Sequence, residues 1–192
     1  MKNHKLAFVD LEMTGLDPFS HEIFEIGIVL VAQTKDEEGK SSLAIISEHN
    51  ILLTPNHIEN ADPKSIEIAK YHSRDWSLAV TQKIGLEQAV QLLDGCVLVA
   101  QNVSADWTFL VEAGRKNKVD FANTLHYHRL DLASMAFGKL YGEERLFKFS
   151  LRELTEYFEV KNMNAHTALS DARATFEVCK KLLSMDAPGS SS

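Results

Sequence analysis

Five side chains have the types and spacing to hold divalent metal and move a proton: Asp10 and Glu12 in Phe8-Val-Asp-Leu-Glu12, Asp106 in Asn102-Val-Ser-Ala-Asp106, and the pair His166 and Asp171. Strand side chains alternate between faces, so Asp10 and Glu12 point to one side with Phe8, while Val9 and Leu11 fill the other. Two acids so close repel each other and shift each other's pKa unless a cation lies between them, and Mg²⁺ and Mn²⁺ prefer oxygen ligands. Each acid alone has a plainer reading. A D-x-E pair is usually the wet face of an edge strand, and an acid near a helix N-terminus, such as Asp106 or Asp171, is favoured by the helix dipole. His166 sits in a polar loop, a poor place for a core histidine and a reasonable one for a proton shuttle. Taken together, four carboxylates in one cleft cannot all stay ionised without divalent metal. Two such ions about 4 Å apart would bridge a phosphodiester, one activating water and one stabilising the leaving oxygen. The histidine would then take the water's proton.

The elements that must position these groups are legible in the hydrophobic pattern. Ala7-Phe-Val before Asp10 is apolar on both faces, as an interior strand requires, and Thr14-Gly-Leu-Asp-Pro18 closes it with turn chemistry. Residues 25–32 form an apolar run, the charged stretch 35–40 reads as a hairpin tip, and 43–53 gives a third strand closed by Thr54-Pro55. Asp62-Pro63 opens a helix through about Tyr71, followed by an irregular polar loop at 72–77. Helical spacing runs over 85–93 up to Gly95, and Val97–Ala100 is a short buried strand leading through Gln101-Asn102 into a helix that stops at Gly114 or soon after. A fifth strand over 127–132, helices over 132–141 and 150–158, and a last helix over 169–185 complete the order. Ser150-Leu-Arg-Glu153 is a capping box, and Asp171 is either capped by Ser170 or reinforces the start of its helix. The expectation is an α/β fold: a mixed five-stranded sheet, with an antiparallel three-strand meander plus parallel strands, flanked by helices. Residues 1–185 read as a single domain and 186–192 as a disordered tail.

Composition narrows the partners. A net charge of −7 argues against holding long nucleic acid on a broad basic surface, but leaves room for a small metal-filled cleft. Cys96 and Cys179 match no metal or redox spacing and read as buried free thiols in a reducing compartment. No stretch approaches a membrane span and the first residues lack a signal-peptide core, so a cytoplasmic protein with no membrane partner is expected.

The three motifs, in this order, resemble those of the DEDDh family of 3′→5′ exonucleases, which includes polymerase proofreading subunits, RNase T and oligoribonuclease. They are Phe8-Val-Asp-Leu-Glu-Met-Thr-Gly15, Asn102-x₃-Asp106-x₂-Phe109-Leu110 and His166-x₄-Asp171, and the resemblance spans about residues 6–183. It implies a ribonuclease-H-like sheet and two divalent cations, Mg²⁺ or Mn²⁺, held by Asp10, Glu12, Asp106 and Asp171. Asp10 would bridge both ions, and His166 would be the general base. It further implies that Met13 and Thr14 meet the terminal nucleotide, that Leu16 is a base wedge, and that Asn102 supports the scissile-end phosphate or sugar. The partner would be the 3′ end of single-stranded DNA or RNA, releasing nucleoside 5′-monophosphates. A polymerase partner and a homodimer both stay open. Gln101 and Ala105 depart from the histidine and phenylalanine that many members carry around the second motif. Trp76 and Trp107 are candidates for stacking on bases, although for Trp107 a core or lid place is the plainer reading.

Two alternatives compete with a general exonuclease. The Asp10-Leu-Glu-Met-Thr-Gly-Leu-Asp-Pro18 segment and His126-Tyr-His-Arg-Leu-Asp-Leu132 resemble oligoribonucleases, which act on very short RNA, whereas Ala168-Leu-Ser-Asp-Ala-Arg-Ala-Thr175 resembles the proofreading type. Phe8-Val-Asp-x-Glu-x-Thr also resembles the nucleophile loop of haloacid-dehalogenase-type phosphatases, but Glu12 is the wrong length for their second acid.

Overall fold

The computed structural model describes residues 1, 3–35, 37, 39, 41–162 and 166–185. The tail at 186–192, part of the hairpin tip and residues 163–165 of the loop before His166 lie outside the described residues.

The apolar runs become the centre of one sheet. β1 (Leu6–Met13) pairs antiparallel with β2 (Ile23–Lys35), which pairs antiparallel with β3 (Ser41–Thr54), giving the expected meander. On its other side β1 pairs parallel with β5 (Val97–Ala100), which pairs parallel with β6 (Arg129–Asp131). The sheet has six strands rather than five, in the order β4-β3-β2-β1-β5-β6. The extra strand β4 is the two-residue stretch Val80–Thr81, set parallel against Leu53–Thr54. Two residues carry no periodicity, and tertiary pairing alone makes them a strand.

The helices also follow the pattern, with shifted ends. α1 (Pro63–Ile68) starts as expected, with the Asp62 carboxylate accepting from Lys64 N–H, but ends before Tyr71, where a separate 3₁₀ turn spans Tyr71–Ser73. α2 (Gln82–Leu92) begins three residues before the expected start. α3 (Val103–Asn117) passes Gly114 and ends at Lys118, which takes a left-handed φ of 61°. A single-turn α4 (Phe121–Thr124), capped by Asp120, was not legible in the apolar spacing. α5 (Leu132–Leu140) and α6 (Leu151–Tyr157) match expectation, with the Ser150 hydroxyl accepting from Glu153 N–H. The Glu153 carboxylate accepts from Lys148 N–H at 2.8 Å, two residues upstream of the cap residue that a capping box would engage. The last helix, α7, spans Ala168–Ser184. Its N-cap is Thr167, not Ser170, whose hydroxyl donates to Asn162 Oδ1 at 2.7 Å.

The sheet separates two cores. Val9, Leu11, Ile26 and Ile28 pack against Leu86 of α2, Leu93 at its C-cap, and Phe109 and Leu110 of α3. Phe8, Val29, Val31 and Val99 pack on the opposite face against Leu132, Leu154 and the Phe176–Cys179–Leu182 stripe of α7. Both cysteines are buried free thiols, and burial pushes Cys179 up to about 12, which keeps it protonated. Among the described residues no helix is long and apolar enough to cross a membrane.

One close approach sets α7. Gly27 lies directly across from Asp10, and a Cβ there would meet the Ala168 carbonyl carbon at 2.2 Å and the Leu169 nitrogen at 2.3 Å. Only a residue with no side chain lets the first turn of α7 rest on the strand. Gly27→Ala should therefore displace α7 and cost about 1–3 kcal/mol of stability. Thermal unfolding followed by circular dichroism should show a Tm lower by about 2–4 °C per kcal/mol lost. An unchanged Tm would mean that the contact is dispensable.

Candidate active site

β1 delivers its acids where the sheet gives way to loops. Asp10 stands opposite Gly27 and Glu12 opposite Glu25, so both carboxylates lie on the α7 face, as strand alternation requires. Beyond Glu12 the ladder shifts register, and the chain leaves the sheet at Met13. Asp171 occupies the first turn of α7 and comes down beside them because Gly27 allows it. Oxygens of Asp10, Glu12 and Asp171 all lie within 4.8 Å of one another. Asp106, buried in the first turn of α3, arrives from the other face of the sheet and is the strongest of the neighbouring charges acting on Asp10. The four acids predicted from spacing thus meet at the end of β1, three as one cluster and the fourth beside Asp10.

Burial and mutual repulsion dominate the electrostatics. Desolvation and then the charges of Asp106, Asp171 and Glu12 raise Asp10 well above the usual carboxylate range. Glu12 is pushed up to about 7, first by burial, then by Glu25 and Asp171, with Arg74 opposing. Burial likewise raises Asp106 to about 7, although backbone N–H groups of its own residue and of Leu11 pull it down. An all-oxygen donor set in which Asp10, Glu12 and Asp106 are raised by burial and crowding fits a hard divalent cation.

His166 is exposed, in a left-handed backbone conformation with φ of 69°, and its N–H donates to Asp171 Oδ2 at 3.1 Å. It shares with Asp171 the wall of a cavity of about 730 Å³ that runs along α6 past Leu151, Thr155 and Asn162. Asn102 is the exposed N-cap residue of α3. Leu16 is 82% exposed on the loop after β1. Thr14 lies on the same loop. It is 2% exposed; its hydroxyl accepts from Glu22 N–H, its own N–H donates to Glu22 O, and its C=O accepts from Asp62 N–H. Those bonds tie the loop together around Thr14. Trp76 packs on Tyr71 and Phe24, with Nε1 donating to Tyr71 O at 2.9 Å. Trp107 packs against the core, with the Arg129 guanidinium 3.9 Å from its ring centre. Both rings have protein partners.

Several residues escaped the sequence reading. Glu25 is a fifth acid, buried and paired with Arg74 from the loop after the 3₁₀ turn. An acid inside an otherwise apolar strand was the available signal. Asp131 accepts from Val103 N–H at 3.0 Å and from Ser134 N–H at 2.7 Å, joining the starts of α3 and α5 beside Asp106. Asn162 donates to Asp171 Oδ1. Phe19, 70% exposed, stands on the Leu16 loop, which Lys116 anchors by donating to the Pro18 and Phe19 carbonyls at 3.1 and 2.8 Å.

Fold and site together place at the end of β1 a cluster of acids that could hold a divalent cation, as in a metal-dependent hydrolase. The chain belongs to the exonuclease family: the RNase T exonuclease model matches residues 7–179. It is 30% identical over 177 residues to a PolC-type DNA polymerase III of Caldanaerobacter subterraneus, a match covering 91% of this chain but 11% of that protein. It is 25% identical over 187 residues to an oligoribonuclease of Haemophilus ducreyi, covering 94% of this chain and 93% of that one. E. coli Exonuclease I, solved in complex with a dT13 oligonucleotide, shares the fold with a TM-score of 0.73 at 17% identity, over 94% of this chain and 41% of that one. The haloacid-dehalogenase alternative is set aside by the family.

The raised acids make stability depend on pH in the cation-free protein. The unfolded chain ionises Glu12 and Asp106 near pH 4–4.5, whereas the folded site holds those protons until about 7. Their contribution is therefore fully present below the unfolded pKa and is lost as pH rises through the folded one. In chelator, Glu12→Gln should raise Tm at pH 7.5 and lose that advantage below pH 4.5. Mn²⁺ should raise the wild-type Tm more at pH 7.5 than at pH 5, where protons compete for the same oxygens. A cation effect independent of pH would argue against binding at these acids.

Proposed function

We propose that this protein removes nucleotides one at a time from the 3′ end of single-stranded nucleic acid, releasing nucleoside 5′-monophosphates, with residues 1–185 acting as one exonuclease domain. The observation that carries this reading is the convergence of Asp10, Glu12 and Asp171 within 4.8 Å, with Asp106 at Asp10. These four acids would hold two divalent cations, Mg²⁺ or Mn²⁺. When bound, such cations offset the charge on the phosphate and favour ionisation of a water.

The chain's own groups supply the rest. A ring nitrogen of His166 takes the proton of the water that attacks the last phosphorus. The new P–O bond forms as the P–O3′ bond breaks, and the departing O3′ takes a proton from solvent, so the shortened strand ends in a 3′-hydroxyl. Met13 and the Asn102 side chain contact the terminal nucleotide, and Leu16 wedges beneath its base. The loop held by Thr14 and Lys116 keeps Leu16 in place before substrate arrives, so little ordering is left for binding. A free, unpaired end suits such a seat.

The oligoribonuclease reading is favoured by one observation: the chain aligns with nearly the whole of the Haemophilus ducreyi protein, 93% of its length. The PolC-type relative favours a polymerase as partner, and a homodimer is the other assembly open to the chain.

A 5′-labelled single strand with Mn²⁺ should yield a ladder of shortened products, and a circular strand should stay intact. Endonucleolytic cutting of the circle would sink the exonuclease reading. Asp10→Ala should abolish turnover, and His166→Ala should lower kcat by about 10²–10⁴-fold. Full rate in the latter would remove His166 as base. Side-by-side turnover of a dinucleotide, a longer RNA and a longer DNA separates the two substrate readings. Preference for the dinucleotide supports oligoribonuclease activity.

A further inference from the structure

The backbone of His166 is held by side chains on both its polar groups. Its N–H donates to Asp171 Oδ2 at 3.1 Å, and its C=O accepts from one terminal nitrogen of Arg74. The other terminal nitrogen of Arg74 donates to Glu25 Oε2. This ion pair is enclosed, with side-chain exposures of 15% for Arg74 and 2% for Glu25. A planar guanidinium can reach two acceptors at once in fixed geometry, which a lysine ammonium cannot.

Two features give the clamp its purpose. His166 adopts φ of 69°, a conformation that a residue with a side chain rarely takes without outside support. Glu25 stands directly opposite Glu12 in the β1–β2 ladder, so the guanidinium connects the acid cluster to the segment carrying the histidine. Arg74 is itself anchored. It follows the 3₁₀ turn at Tyr71–Ser73, and Tyr71 and Trp76 on either side of it pack against Phe24 of β2, next to Glu25. Arg74 belongs to none of the three sequence motifs.

We propose that Arg74 is a positioning residue: braced by Glu25, its guanidinium fixes the His166 backbone so that the imidazole is presented to the cleft. The proposal rests on the reading of His166 as general base. Both terminal nitrogens of Arg74 are taken up by Glu25 and His166. The arginine acts through the histidine, so Arg74 and His166 form one functional unit whose losses do not add.

A double-mutant cycle on the cation-loaded full chain tests this, with kcat and KM on a single-stranded oligonucleotide and Tm for Arg74→Ala, Arg74→Lys, His166→Ala and the Arg74→Ala/His166→Ala pair. Arg74→Ala should lower kcat by about 10²-fold, the scale of a misplaced catalytic group, while KM stays near wild type. Arg74→Lys should recover only part of that rate, because it keeps the charge and loses the fork. In the His166→Ala background, Arg74→Ala should cost nothing further. An unchanged kcat in Arg74→Ala, or the same fold loss in both backgrounds, would overturn the proposal while leaving His166 as base. Full activity in His166→Ala would instead remove the base reading and the proposal with it. Should Arg74→Ala not fold, Arg74→Gln and Arg74→Lys carry the same cycle.

Discussion

Repulsion among buried carboxylates is the constraint on which the rest of this structure depends. Asp10, Glu12 and Asp171 bring oxygens within 4.8 Å, and Asp106 and Glu25 add charge from either side. Such a cluster can be relieved by protons, by a cation or by a guanidinium. The chain spends its guanidinium on Glu25, through Arg74, and leaves the other acids to protons or a cation. That division is informative. If the acids served only to support the fold, pairing each with an arginine would have cost less stability than crowding them together. A hard divalent cation would relieve such crowding.

The architecture answers the problem of holding such groups in place against their mutual push. β1 lies inside the sheet, paired with β5 over Leu6–Phe8 and with β2 out to Met13, so Asp10 and Glu12 cannot move apart without breaking the β2 ladder. α3 and α7 approach from opposite faces, and each presents an acid from its first turn, where the helix dipole favours negative charge. The Phe8–Phe176 contact and the apolar stripe of α7 press that helix onto the sheet. Gly27 lets the pressing go far enough for Asp171 to reach the cluster. Packing energy from two apolar cores thus opposes electrostatic cost at one end of the sheet.

The rim follows a similar logic. The turn after Met13 is stitched by Thr14, Glu22 and Asp62 and anchored by Lys116, and these bonds leave Leu16 and Phe19 in solvent. Large apolar side chains exposed on a well-bonded loop are placed for contact with something other than water. Trp76 and Trp107, the two candidates for stacking, are half-buried and also have neighbours within the protein.

By itself the sequence determined the order and type of most elements, the antiparallel meander, the faces of β1 and the identity of the four converging acids. It could do so because alternation, helical spacing and cap chemistry are local properties written in neighbouring residues. The six-strandedness of the sheet, the inward turn of Thr14, the Thr167 cap of α7 and the Glu25–Arg74–His166 connection belong to the tertiary structure alone. β4 has two residues and no period to read, and Arg74 finds its partners 49 and 92 positions away in the chain. Gly27 marks the boundary between the two kinds of information. In the sequence it is a glycine in an apolar strand, and only the helix packed on it explains why no side chain can stand there.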